Sequence, residues 1–162
     1  MTITETPVTT PVRYDVEALA PTFLKAMNRL DAAAIRELDA AGIDPGLREL
    51  VRLRASQLNG CAYCVDLHSR DARSVGEPEQ RIWAVAVWRE APFFTARERA
   101  AFELTEAVTL LSETHVPDDV HAAIAQQLSD AEIAALLCLV VTINAWNALS
   151  LASRSWSPEL TA

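Results

Sequence analysis

The chain has 162 residues, 51% of them apolar and only four glycine, with a formal net charge of −8. That length suggests one domain with core enough to fold without staples. The charge argues against a nucleic-acid surface, which needs clustered Lys and Arg. Lys25 is the only lysine, and the thirteen arginines are scattered through helical stretches with no polybasic block.

Residues 1–11 are rich in Thr and Pro and lack the basic start and apolar core of a secretion signal. They read as a flexible arm, with residues 12–162 as a single helical domain. No stretch alternates apolar and polar residues long enough to predict a strand, and the helical period is nearly continuous. A first helix is predicted over 21–40, with Phe23, Leu24, Met27, Leu30, Ala34, Ile35 and Leu38 on one broad face and Gly42 beyond its end. Asp44-Pro45 opens a second, with Asp as N-cap and Pro in the first turn. Glu49 lies in that first turn, and Asn59-Gly60 marks the end.

The next helix is predicted to begin near Cys61 and to stop at Gly76. Glu77-Pro78 starts another, carrying Ile82, Trp83 and Trp88, and Pro92 breaks it. Thr95-Ala96-Arg97-Glu98 fits a capping box for a helix to about Glu113. Pro117-Asp118-Asp119 begins a short helix to Leu128. Ser129-Asp130-Ala131-Glu132 is a second capping box, followed by the long apolar run 133–152. That run nearly reaches the ~20 residues of a membrane span. Thr142, Asn144, Asn147 and Ser150 interrupt it, so it reads as a helix buried in a soluble core or a subunit interface. The prediction is an all-α bundle of about seven helices, with no membrane association.

Three cysteines are present, Cys61, Cys64 and Cys138. Such a count is no secreted disulfide framework, and a cytoplasmic location is expected. Cys138, between Leu137 and Leu139, reads as a small core residue. His115 and His121 lie near a helix boundary and read as solvated. The chemistry is concentrated in Ser56-Gln57-Leu58-Asn59-Gly60-Cys61-Ala62-Tyr63-Cys64-Val65-Asp66-Leu67-His68. With Cys61 at a helix start, residues 61, 64, 68 and 72 share one face. Both thiols and His68 then point the same way. First-turn amides favour the thiolate, Cys61 more than Cys64, while His68 is better placed to serve Cys64. Structural zinc usually takes four side chains and only one Cys-x-x-Cys is present. A c-type haem needs His directly after the second Cys, where this chain has Val65. No cofactor or metal is expected. The residues alone leave a redox pair or an open metal site as the two readings.

The segment from Glu49 through Arg52, Ser56-Gln57-Leu58-Asn59-Gly60-Cys61 and Cys64 to His68 resembles the core motif of the alkylhydroperoxidase D family, within the carboxymuconolactone decarboxylase superfamily. Trp88-Arg89-Glu90-Ala91-Pro92-Phe93-Phe94-Thr95 and Ile143-Asn144-Ala145-Trp146-Asn147 extend the resemblance to roughly residues 12–156. It implies an all-helical fold, assembly into trimers or hexamers, and thiol peroxidase activity on small peroxides. It casts Cys64 as the peroxidatic cysteine, Cys61 as its resolving partner, and Glu49 with His68 as a proton relay. The implied reductant is a dithiol on a lipoyl-bearing or thioredoxin-like protein. Tyr63 departs from the pattern, since the best-known members carry a histidine between the cysteines. That departure leaves a redox sensor, whose disulfide switches assembly or partner binding, as an alternative. A metal-dependent or lactone-directed enzyme using Glu49 and His68 is a further one.

Overall fold

The computed structural model describes residue 8 and residues 10–158. Most of the predicted N-terminal arm lies outside the described residues. The rest is helical, with no strand among the described residues. In chain order the helices are α1 (Val16–Leu19), α2 (Pro21–Ala40), α3 (Pro45–Asn59), α4 (Ala62–Ser74), α5 (Glu79–Ala84), α6 (Ala96–Thr109), α7 (Leu111–Thr114), α8 (Asp118–Ala125) and α9 (Asp130–Ser153), with a 3-10 turn over Val85–Val87 after α5.

Local chemistry sets most boundaries. Asp44 caps α3 through its carboxylate, which accepts from the Gly46 and Leu47 amides. Thr95 with Glu98 and Ser129 with Glu132 form complete capping boxes at α6 and α9. Each such cap is worth about 1 kcal/mol. Three predicted boundaries move, the simplest being α8, which ends at Ala125 rather than Leu128. The helix from Thr95 ends at Thr109, and a separate turn, α7, follows it to Thr114 rather than Glu113. The Thr114 hydroxyl folds back onto the Ala107 carbonyl at 2.6 Å and stabilises that break. The helix after Pro78 runs only to Ala84 before tightening into the 3-10 turn. Helix α1, four residues capped by Asp15, is too short to show a period in the sequence.

The core is built around α3, α6 and α9. Leu50, Val51 and Leu53 of α3 meet Phe102 and Leu104 of α6 and Leu136, Leu139 and Val140 of α9, all buried. Helix α9 is long and apolar enough to cross a membrane by length and composition. Here it packs against α2, α3 and α6. Its burial is one-sided: Leu137, Val141 and Leu151 remain exposed. Cys138 belongs to this outer stripe and is an exposed free thiol, which corrects its predicted place in the core. Apolar residues run all round α9, so the pattern could not distinguish the covered face from the uncovered one. His115 and His121 are both exposed.

Candidate active site

The site is made where α3 turns into α4. Gly60 ends α3 at φ +72°, a left-handed conformation that costs glycine little. The Gly60 amide donates to the Gln57 carbonyl and the Cys61 amide to that of Ser56, closing the turn. A polar cluster fixes this turn against α9. The Asn59 amide donates to Asn144 Oδ1 at 2.6 Å and Asn147 Oδ1 at 2.9 Å. Asn147 Nδ2 in turn donates to the buried Ser56 hydroxyl at 3.1 Å. Two of the polar residues that break the apolar run of α9, Asn144 and Asn147, thus hold the motif in place.

Cys61 is the N-cap of α4 rather than its first residue, and its sulfur accepts from the Cys64 amide at 3.4 Å. Cys61 and Cys64 are joined in a disulfide, with their Cα atoms 5.3 Å apart. Both are buried, as are His68 and Ala72 on the same face, as the spacing predicts.

Glu49 on α3 reaches across to α4. Its Oε2 accepts from His68 Nδ1 at 2.9 Å and its Oε1 from Arg52 at 2.6 Å. Arg52 also contacts Asp31 at 3.3 Å. Burial pushes the Glu49 carboxyl up, but the His68 hydrogen bond and the Arg52 guanidinium together hold it below the ordinary glutamate value. Glu49 is therefore an anionic acceptor at neutral pH, which places the ring proton of neutral His68 on Nδ1 and leaves Nε2 as the basic nitrogen. Asp71 lies 3.9 Å from His68 Nδ1. Burial and the nearby Glu49 charge raise its carboxyl, against the attraction of His68, Arg52 and Arg70.

Cys64, His68, Asp71 and Arg52 line a cavity of about 410 Å³, walled by Tyr63, Trp146 and Trp156. Tyr63 stacks on Trp156 with centroids 6.1 Å apart, and Trp156 meets Trp146 edge-on at 6.1 Å. The Trp156 indole donates to Glu17 of α1 at 2.7 Å. A second hollow of about 250 Å³ lies beside Cys61, between the segment before α1 and the one after α9. Sequence reasoning did not find Trp156, which sits 93 residues from Tyr63 and carries no local motif.

Glu49, His68 and Asp71 bring ligand atoms within 4.8 Å of one another, as a metal site would. Both Glu49 oxygens are already engaged, one by the Arg52 cation, and a guanidinium beside the site opposes a second cation. The donor set fits a proton relay better than a metal centre.

The chain is 36% identical over 140 residues to the uncharacterized protein YdfG of Bacillus subtilis, an alignment covering 86% of this chain and 92% of YdfG. A solved structure from Agrobacterium tumefaciens, of unknown function and described as a candidate antioxidant-defence protein AhpD, superposes with a TM-score of 0.85 at 35% identity, over 93% of this chain and all of that one. The debrominase Bmp8 shares the fold alone, at 20% identity and a TM-score of 0.70 over 86% of this chain and 73% of its own. The family model for the carboxymuconolactone decarboxylases matches residues 21–107, spanning Glu49, both motif cysteines and His68, and the chain belongs to that family, on its alkylhydroperoxidase D-like side.

Proposed function

We propose that the protein is a thiol-dependent peroxidase that reduces small peroxides through Cys64 and Cys61. The carrying observation is the carboxylate–imidazole pair of Glu49 and His68, whose imidazole lines the same cavity as Cys64. Tyr63, Trp146 and Trp156 add an apolar wall for the organic part of a hydroperoxide.

The reaction starts from the reduced pair. His68 Nε2 takes the Cys64 thiol proton, while Glu49 holds Nδ1–H and stabilises the imidazolium. The thiolate attacks the terminal peroxide oxygen and the O–O bond breaks. Hydroxyl stays on sulfur as a sulfenic acid, and the alkoxide leaves with the proton that His68 held. The Cys61 thiol then attacks the sulfenic sulfur and expels water, giving the Cys61–Cys64 disulfide. An external dithiol reduces it by exchange, supplied by a lipoyl-bearing or thioredoxin-like protein by family analogy. The exposed Leu137, Val141 and Leu151 of α9, with Phe23 and Leu30 of α2, favour a homo-oligomer. Mass measurement at micromolar concentration tests that part, and a monomer would refute it. A cytoplasmic location suits a pair that must be re-reduced in every cycle.

The test is steady-state consumption of an organic hydroperoxide with dihydrolipoamide, comparing wild type with Cys64→Ser. Multiple turnovers, lost in the variant, are expected. Undiminished turnover in Cys64→Ser would refute the assignment. A single equivalent consumed by wild type would favour the redox-sensor reading, which Tyr63 supports through its stacking on Trp156, the residue that ties the C-terminal segment to α1.

A further inference from the structure

The disulfide lies between two unlike spaces. Cys64 borders the larger cavity and Cys61 the smaller hollow. The stacked Tyr63 and Trp156 border both, so they form the partition between them. The charges on the two sides are opposite in balance. The Cys64 side carries three carboxylates, Glu17, Asp31 and Asp71, against Arg52 and His68. The Cys61 side carries Arg13 and Arg154 and no carboxylate among its described lining residues. Arg13 reaches the Leu151 and Ala152 carbonyls at 3.3 Å, and no carboxylate pairs with it among the described residues. Arg154 caps α9 at φ +56°, where glycine is the usual occupant. Two arginines in the hollow that Cys61 lines give that side the more positive balance on a chain of net charge −8.

We propose that this hollow is the docking site of the reductant, a dithiol carrying negative charge, which enters from the side opposite the peroxide and attacks Cys61. This rests on the peroxidase reading and names its second substrate. Thiol–disulfide exchange runs in line, so a nucleophile at Cys61 must approach away from Cys64, and the hollow is the space that Cys61 lines and Cys64 does not. The incoming thiolate bonds to Cys61 sulfur, the S–S bond breaks, and the electron pair leaves on Cys64. Cys64 is the sulfur released, on the face of α4 that carries His68, its proton partner in the peroxidase reading. Attack at Cys61 thus releases the thiolate that the next peroxide needs. The second thiol of the dithiol then displaces Cys61, which takes a proton, and the reductant departs as its cyclic disulfide, two electrons and two protons poorer. Cys61 is only 1% exposed, so the dithiol must sit on a slender chain that fits about 250 Å³.

The experiment needs no peroxide, so its outcome is separate from that of the peroxidase assay. Oxidised full-length protein is mixed with dihydrolipoate or dihydrolipoamide, which share one dithiol and differ in a carboxylate, and the appearance of protein thiols is timed. Wild type should be reduced about fivefold faster by dihydrolipoate at low salt, and salt should erase the preference. Arg13→Gln with Arg154→Gln should bring the ratio to about one, and Arg13→Lys with Arg154→Lys should restore most of it. Equal rates in wild type, or a preference that survives in the glutamine pair, would overturn the proposal. A readout independent of the variants' folding uses wild type alone. Oxidised protein is exposed to 2-mercaptoethanesulfonate, quenched in acid and mapped by peptide mass spectrometry. The transient adduct should lie on Cys61, and an adduct on Cys64 would refute the route.

Discussion

Arg52 and Arg54 leave opposite sides of α3, since residues two apart on a helix do not share a face. Each meets a glutamate. Arg52 binds Glu49 at 2.6 Å, and Arg54 binds Glu106 of α6 at 2.6 Å. Both carboxylates are held below the ordinary glutamate value despite burial, which pushes each of them up. Their remaining partners differ. Glu106 also takes the Trp88 indole N–H at 2.7 Å and an Arg89 guanidinium at 2.7 Å. None of those three donors exchanges a proton near neutral pH. Glu49 takes His68, whose ring can, and His68 opens onto a cavity beside a sulfur pair. A buried, charge-paired carboxylate is therefore no sign of chemistry by itself. The titratable partner and the space beside it make the difference.

The sharpest way to break that comparison is to neutralise each carboxylate in turn. Glu49→Gln should cost peroxide turnover about 100-fold with a modest loss of stability, because Arg52 keeps Asp31. Glu106→Gln should do the reverse. It leaves the Arg54 guanidinium without its anion in the half-buried seam between α3 and α6, while Arg89 keeps Glu103, and should cost about 2 kcal/mol of stability. Turnover per folded molecule should stay near that of wild type. Peroxidase assays and chemical denaturation on both variants check the crossover. Equal losses of turnover would mean that the two centres are coupled through α3.

Acid unfolding should treat the two carboxylates alike, and so marks where the comparison ends. A folded pKa below the unfolded one gives stability that is complete above the unfolded value of about 4.5. That stability is lost as pH falls through the folded value, because the unfolded chain takes the proton first. Each glutamine variant should flatten the stability–pH curve below that point. The measurement is denaturant midpoint from pH 3 to 7. A curve for Glu49→Gln that parallels wild type would mean that the carboxylate draws no net stability from His68 and Arg52.

The elements of the two centres were not equally legible in the sequence. Glu49 and His68 lie on helices whose starts are written in local chemistry, Asp44-Pro45 and the Asn59-Gly60-Cys61 turn; spacing predicted the shared face of Cys61, Cys64 and His68, and the family resemblance paired His68 with Glu49. Glu106 is one of several polar residues on α6, and its donors Arg54, Trp88 and Arg89 come from three places in the chain. No local pattern announces such a meeting. The same holds for Trp156, which joins the site only because the segment after α9 folds back over α1. Cys138 shows the converse limit. Apolar neighbours in sequence suggested burial, yet on a helix apolar all round they leave the direction of the core undetermined. The break at Leu110 has no glycine or proline to mark it and arises from the contact Thr114 makes with Ala107.

The smallest expected effect concerns a group present at one centre and absent from the other. Asp71 faces Glu49, His68, Arg52 and Arg70, and its carboxyl is raised by burial and by Glu49. A raised folded pKa in an acid means that ionisation costs stability. The cost is nil below the unfolded value of 3.8 and complete once pH has risen through the folded one. Asp71→Asn should therefore stabilise the protein at pH 7, by a few tenths of a kcal/mol, since the side chain is about half exposed and water screens it. The gain should vanish at pH 3. Paired thermal melts at the two pH values resolve this. A loss of stability at pH 7 would mean that attraction to His68 and Arg52 outweighs repulsion from Glu49. A gain would mean that the Glu49–His68 centre carries a surplus negative charge that the fold tolerates, unlike the neutralised Glu106 centre across α3. A carboxylate kept at such a cost beside a proton-exchanging histidine is what a site selected for activity over stability would retain.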